Sequence, residues 1–333
     1  MKRSGTSKCC IRRPVARPIG LGVFVAHGLA CCGLVGAEAT LPAEADELFR
    51  IGRELFEQFA PPEVKAQFEF PSKEQWDAFV VRWQRAAAGE SLEELAALAG
   101  EARTTLTVLR SLPGYEDLAD TLIQRLDEFE GAREALAPAR PPAVEPQPPL
   151  RPGAPRPAVV QPVPHYNLWL ARVRARAAPP RAAELMPRVS SAFRAEGVPP
   201  ELAWLAEAES SFNPAARSPV GARGLFQFMP DTAKAMGLST FLPDERLDPE
   251  KSARAAARHL RALHRRFGNW ALALAAYNAG EGRVSRTLAA RRANTFTAVA
   301  EALPAETRMY VPKVCALIAM RTGMPPDRLP APR

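Results

Sequence analysis

The sequence predicts an all-α protein, on three observations. Apolar residues recur at three- and four-residue spacing through most long segments, proline and glycine fall where helices would start or stop, and no run alternates apolar and polar residues as a half-buried strand would. The chain has 333 residues, 34 prolines, 20 glycines and a net charge of +8. Composition changes sharply along it and divides it into five parts.

Residues 1–39 read as an export signal. Met1 to Pro18 carry six Lys or Arg and no acid, and Ile19 to Gly36 are almost wholly apolar or small. Val35-Gly36-Ala37 and Ala37-Glu38-Ala39 each offer a small-x-small cleavage site. Cys32 follows Leu29-Ala30-Cys31, which only approximates a lipoprotein box, and an apolar stretch of about 18 residues also suits an uncleaved anchor. The expected location is the cell envelope, on the periplasmic side. Membrane contact is expected only through this segment, if it stays uncleaved or is lipidated.

Residues 40–136 form an acidic helical unit. Helix-like runs at 43–59, 73–88, 91–110 and 115–136 are separated by Pro61-Pro62, Pro71 and Pro113-Gly114, and residues 41–136 hold 20 acids against 10 bases. No activity is legible in it. Docking, spacing, self-masking or contact with cell-envelope proteins all suit it. Residues 137–165 follow with 11 prolines in 29 positions, which favours polyproline II and a reach of about 90 Å. That linker would let the next unit search away from its point of attachment.

Residues 166–325, followed by a short tail at 326–333, carry the chemistry. Apolar positions at helical spacing mark 181–197 and 249–267, and 269–279 is a small-residue helix stopped by Gly280. Pro199 and Pro200 suit a helix start. Leu202, Ala203, Trp204, Leu205, Ala206 and Ala208 make the next segment apolar nearly all round, the pattern of a buried helix, and Glu209 ends it. Burial and the negative end of the helix dipole both disfavour an ionised Glu209. The consequence is chemical. A Glu with pKa about 4.3 is protonated in roughly one molecule in 500 at pH 7, against about one in ten at pKa 6.

After Glu209 the segment 218–224, Ser-Pro-Val-Gly-Ala-Arg-Gly, reads as turn-rich, and a second helix begins near Pro230. Gln227 is an amide suited to sugar acetamido and hydroxyl groups, or one that ties down the loop. Met229 suits core filling equally well. Tyr277 and Asn278 sit where a helix leaves backbone groups open.

The run ESSFNPAARSPVGARGLFQFMPDTA at 209–233, ALAAYNAGEGRV at 273–284 and ETRMYVPKV at 306–314 resembles the soluble lytic transglycosylase family. Within it the likeness is greatest to the membrane-bound lytic murein transglycosylase D type. The resemblance covers about residues 166–325 and implies a lysozyme-like helical catalytic domain. It also implies cleavage of the β-1,4 bond between N-acetylmuramic acid and N-acetylglucosamine in peptidoglycan, leaving 1,6-anhydromuramoyl ends. By the same resemblance Glu209 is the general acid and base, Ser218, Gln227 and Met229 line the sugar cleft, Tyr277 and Asn278 help form it, and Tyr310 hydrogen-bonds the catalytic carboxyl. No wall-binding repeat follows the catalytic half, a departure from the D-type pattern.

Ordinary glycosidases place two carboxyls across the bond. Glu207 is turned about 200° from Glu209 on a helix, but Asp231, Glu281 and Glu306 leave a second carboxylate open. A goose-type-lysozyme-like hydrolase and an inactive wall-binding scaffold are therefore the alternatives. The half at 166–333 holds 25 bases and 14 acids, which suits attraction to an anionic wall polymer or reflects an arginine-rich composition. Nucleic acid is disfavoured as a partner, no cofactor is implied, and the four histidines have no metal-ligand spacing. Four of the five cysteines lie in the signal segment, leaving Cys315 as a core residue.

Overall fold

The computed structural model describes residues 17–18, 49–50, 53–54, 56–89, 91–110, 116–137, 163–217 and 221–333. The export segment, apart from 17–18, and the linker between 138 and 162 therefore lie outside the described residues. The described chain is helical. Its strand pairing amounts to a two-residue parallel pair, Arg17–Pro18 with Phe68–Glu69, and isolated bridges in the loop before residue 229. Among the described residues no helix is long and apolar enough to cross a membrane.

Among the described residues the acidic unit contains α1 (Pro62–Gln67), α2 (Lys73–Ala88), α3 (Leu92–Arg110) and α4 (Glu116–Leu136), with further helical residues at 49–50, 53–54 and 56–59. Ser72 starts α2 with a capping box, its hydroxyl accepting from the Gln75 amide while the Gln75 side chain accepts from the Ser72 amide. Ser91 accepts from the Glu94 amide at the start of α3. Trp76, Leu95, Ala99, Ala102, Leu122 and Phe129 fill the interior between these helices.

The second half contains α5 (Tyr166–Arg174), α6 (Ala182–Ala195), α7 (Leu205–Ser210), α8 (Pro230–Ala235), α9 (Pro249–Phe267), α10 (Trp270–Ala279), α11 (Glu281–Arg291), α12 (Phe296–Val299) and α13 (Ala305–Thr322). Asp248 caps α9 by accepting from Glu250 and Lys251, and Asn269 caps α10 by accepting from Leu272. Gly268 between them sits at φ 77°, in the left-handed conformation that ends a helix. Helix α13 runs through the centre, with Met309, Tyr310, Val311, Val314, Leu317 and Ile318 all buried. The apolar helix expected from Pro199 to Glu209 is in two pieces, a 3₁₀ turn at Pro200–Trp204 and then α7. Its start is tightened into 3₁₀ form, as helix N-termini often are.

The two oppositely charged units are packed together. Helix α4 lies against α5, α7 and α13. A Cβ at Gly131 would stand 2.6 Å from the Trp169 ring, so glycine lets the backbone of α4 approach that indole. Asp127 of α4 meets Arg172 Nη2 at 2.8 Å and Arg176 Nη1 at 2.8 Å, with Lys313 Nζ 3.7 Å away. Burial alone raises the Asp127 pKa, but Lys313, Arg176 and Arg172 together bring it down to about 2. At the far side the Ala305 amide donates to the Gly89 carbonyl at 2.8 Å. The charge contrast legible in the sequence thus serves, in part, to join the halves.

Candidate active site

Glu209 is the penultimate residue of α7. Leu202, Ala203, Leu205 and Ala206 behind it are fully buried, while its own side chain stays partly open at the surface. Burial among these groups raises its carboxyl to about 7, and it does so against the Tyr310 hydrogen bond and the Arg125 and Lys313 charges, with Glu128 adding to the rise. The Tyr310 hydroxyl donates to Glu209 Oε1. That phenol is itself 2 % exposed, and burial with the neighbouring Glu209 keeps it protonated far above the ordinary tyrosine range. The site therefore holds a protonatable carboxyl near neutrality beside a fixed donor.

The loop after α7 is fastened at three points. Ser210 Oγ donates to the Leu225 carbonyl at 2.9 Å, Tyr277 Oη to the Phe226 carbonyl at 2.8 Å, and Arg246 Nη1 to the Gly221 and Phe228 carbonyls at 2.6 and 3.1 Å. Gly224 makes the turn possible. It has φ 80°, and a Cβ there would lie 1.8 Å from the Arg246 carbonyl oxygen. Gln227 has φ 45°, a left-handed conformation uncommon for a residue with a side chain. Its Nε2 donates to the Gly224 carbonyl at 2.9 Å, so the amide does tie down the loop, while its buried Oε1 has no partner among the described residues. An acceptor left open beside a fastened loop suits a ligand N–H.

The other expected residues fall into different surroundings. Met229 is partly exposed and precedes α8 as its N-cap residue. Ser218 lies outside the described residues. Tyr277 packs edge-on to Phe228 at 6.3 Å. Asn278 does not reach Glu209: its Nδ2 donates to Glu306 Oε1 at 3.2 Å, and its Oδ1 accepts from Thr307 Oγ1 at 2.7 Å. Both of these bonds run to α13.

The carboxylates left open by the sequence have other partners. Glu306 Oε1 receives Arg125 Nη1 at 2.7 Å. Glu207 faces away and is held by Arg321 through two bonds, at 2.9 and 2.7 Å. Asp231 is almost fully exposed beside Lys234, and Glu281 pairs with Arg266. All four are thus within ion-pair distance of a cation, Asp231 only loosely and at the surface. The sequence reading missed Arg125, Glu128 and Lys313, because two of them lie in the unit for which no role was legible. A groove of about 870 Å³ between α4 and the second half is lined by Asp127, Arg172, Arg176, Glu207, Ser211 and Lys313 among others; Gln227, Met229, Tyr277 and Tyr310 are not in its wall.

Residues 190–299 match the family model described as transglycosylase SLT domain, and that span contains Glu209, the fastened loop and α10. That span is the part of the chain that is similar to the family. It is 37 % identical to membrane-bound lytic murein transglycosylase D of Escherichia coli strain K12 over 143 residues, 41 % of this chain and 31 % of that protein. It is 43 % identical to the soluble lytic murein transglycosylase of Salmonella typhimurium over 121 residues, 34 % of this chain and 19 % of the relative. The chain thus matches less than a third of the length of these curated relatives. The crystal structure of the soluble lytic transglycosylase of Escherichia coli superposes over 86 % of this chain and 62 % of its own, at 21 % identity and a TM-score of 0.39. The matched span stops short of α13, which supplies Tyr310.

Proposed function

We propose that this chain is an exported peptidoglycan lytic transglycosylase in which Glu209 is the single acid and base. The observation that carries the reading is a partly open carboxyl raised to about 7 and bonded by Tyr310, while Glu207 and Glu306 are ion-paired. Names of the relatives, two of them lytic murein transglycosylases, support the substrate class.

On this reading a glycan strand binds with Gln227, Met229 and Ser218 along the cleft. Glu209 gives its proton to the oxygen joining N-acetylmuramic acid to N-acetylglucosamine, and the C1–O4 bond breaks. The substrate's own acetamido oxygen stabilises the positive centre at C1, the role a second carboxylate has in ordinary glycosidases. The muramoyl 6-hydroxyl then attacks C1 and returns its proton to Glu209, forming the 1,6-anhydro ring without consuming water. A carboxyl titrating near 7 suits both halves of this cycle, since it must give and regain one proton at working pH. The site of action is the periplasmic face of the cell envelope, in keeping with the export signal at 1–39.

Digestion of purified sacculi, followed by mass spectrometry of the muropeptides, tests the proposal. Anhydro ends are expected; products heavier by one water per cut would replace the lyase with a muramidase.

A further inference from the structure

Two charged residues of α13 flank Tyr310, Glu306 about one turn before it and Lys313 about one turn after it. Both are buried, at 7 % and 1 % exposure. A buried charge is tolerated only when paired and hydrogen-bonded, and within α13 neither has that partner. Both partners come from α4, in the acidic unit. Arg125 Nη1 lies 2.7 Å from Glu306 Oε1, Glu128 Oε1 lies 3.1 Å from Lys313 Nζ, and Arg125 Nη1 lies 2.7 Å from Glu128 Oε2. Lys313 also donates to the Gln124 carbonyl at 3.2 Å, and Gln124 Nε2 bonds Ser211 Oγ, two residues past Glu209. An alternating array of four charges therefore spans the two helices around Tyr310, whose hydroxyl is the donor to Glu209.

We infer that α4 is a working wall of the active site, in which Arg125 and Glu128 are positioning residues that hold Tyr310 against Glu209 and set the charge around that carboxyl. The inference rests on the reading of Glu209 as the acid. The acidic unit is then a part of the enzyme itself and not only a docking or spacing module. The charged and titratable groups about Glu209 are Arg125 and Glu128 from α4 and Glu306, Tyr310 and Lys313 from α13, with Tyr277 of α10 next to Tyr310. Arg125 and Glu128 act on the carboxyl in opposite senses: the cation favours its ionised form, the anion its protonated form.

This opposition separates positioning from mere adhesion. Loss of adhesion lowers activity in the same way for both residues, whereas the charges move the pH dependence in opposite directions. The test uses the full chain on purified sacculi, with kcat/KM followed across the pH range for the parent, Arg125→Met, Arg125→Lys and Glu128→Gln. Arg125→Met is expected to move the alkaline limb up and Glu128→Gln to move it down, each by about one pH unit, while Arg125→Lys stays with the parent. Circular dichroism reports folding. Should Arg125→Met fail to fold, Glu128→Gln carries the test alone, because it is isosteric and still accepts a hydrogen bond from Lys313. Unmoved limbs, or limbs moved in the same direction, overturn the inference. Glu209→Gln runs alongside: parental turnover in it removes the functional reading, whereas an inactive Glu209→Gln with unmoved limbs removes this inference alone.

Discussion

At the scale of single residues, the structure turns on a carboxyl whose pKa its surroundings raise to about 7. Glu209→Gln preserves shape and removes the proton, so turnover is expected to fall by about 100-fold or more, measured as release of muropeptides. The same variant has a signature in stability. The folded pKa of about 7 lies above the ordinary 4.5, so the folded state binds the proton more tightly than the unfolded one. The resulting stability is fully present below pH 4.5 and is lost as pH rises through 7. Glu209→Gln should therefore melt with the parent near pH 4 and above it near pH 8, by at most about 3 kcal/mol at 1.36 kcal/mol per pKa unit. A constant difference across that range would mean that Glu209 is not held protonated. Tyr310→Phe acts on the same group from the other side. Its hydroxyl lowers the Glu209 pKa, so its loss is expected to move the alkaline limb of the rate profile upward, with about 1 kcal/mol lost in stability for the missing hydrogen bond.

At the scale of elements, what was legible and what was not follow from the range of the interactions. Helix ends were readable because their signals are local: Gly280 after α10 and Pro230 at the start of α8 stand where the helix ends are found. The break of the 199–209 helix into a 3₁₀ turn and α7 was not readable, since the apolar pattern is the same for both forms. Nor was the geometry of the loop. Its glycines announced a turn, but only the Arg246 carbonyl, 22 residues on in sequence, makes Gly224 irreplaceable. Gly237 provides the comparison, because it has the same φ of 80° with open space where a Cβ would go. Gly237→Ala should cost about 1 kcal/mol, the price of a left-handed alanine. Gly224→Ala adds a backbone clash and is expected to cost about 3 kcal/mol or more. Thermal melting of the two variants checks the contrast, and equal losses would show that the loop yields where the structure has it fixed.

At the scale of the whole molecule, the sequence displayed two halves of opposite charge and hid the reason for it. A net charge has no address; the pairing of Asp127 with Arg172, Arg176 and Lys313, and of Arg125 with Glu306, arises only when α4 is laid against α5 and α13. The halves are consequently expected to depend on each other. A fragment of residues 163–333 keeps Glu306 and Lys313 but loses Arg125 and Glu128, which leaves two charges on an apolar helix without the partners that made their burial tolerable. Breaking a buried pair by removal of one partner costs about 3–5 kcal/mol, and 1 kcal/mol shifts the melting temperature of a domain this size by about 2–4 °C. The fragment should therefore melt about 10 °C or more below the full chain. Part of that loss is the apolar contact of α4 with Trp169 and is not electrostatic. The fragment carrying Glu306→Gln with Lys313→Met separates the two contributions, since its α13 has no charge left without a partner from α4, and it should regain several degrees. If the plain fragment melts with the full chain, α4 is an appendage of an independent domain, and the charge array does not hold the halves together.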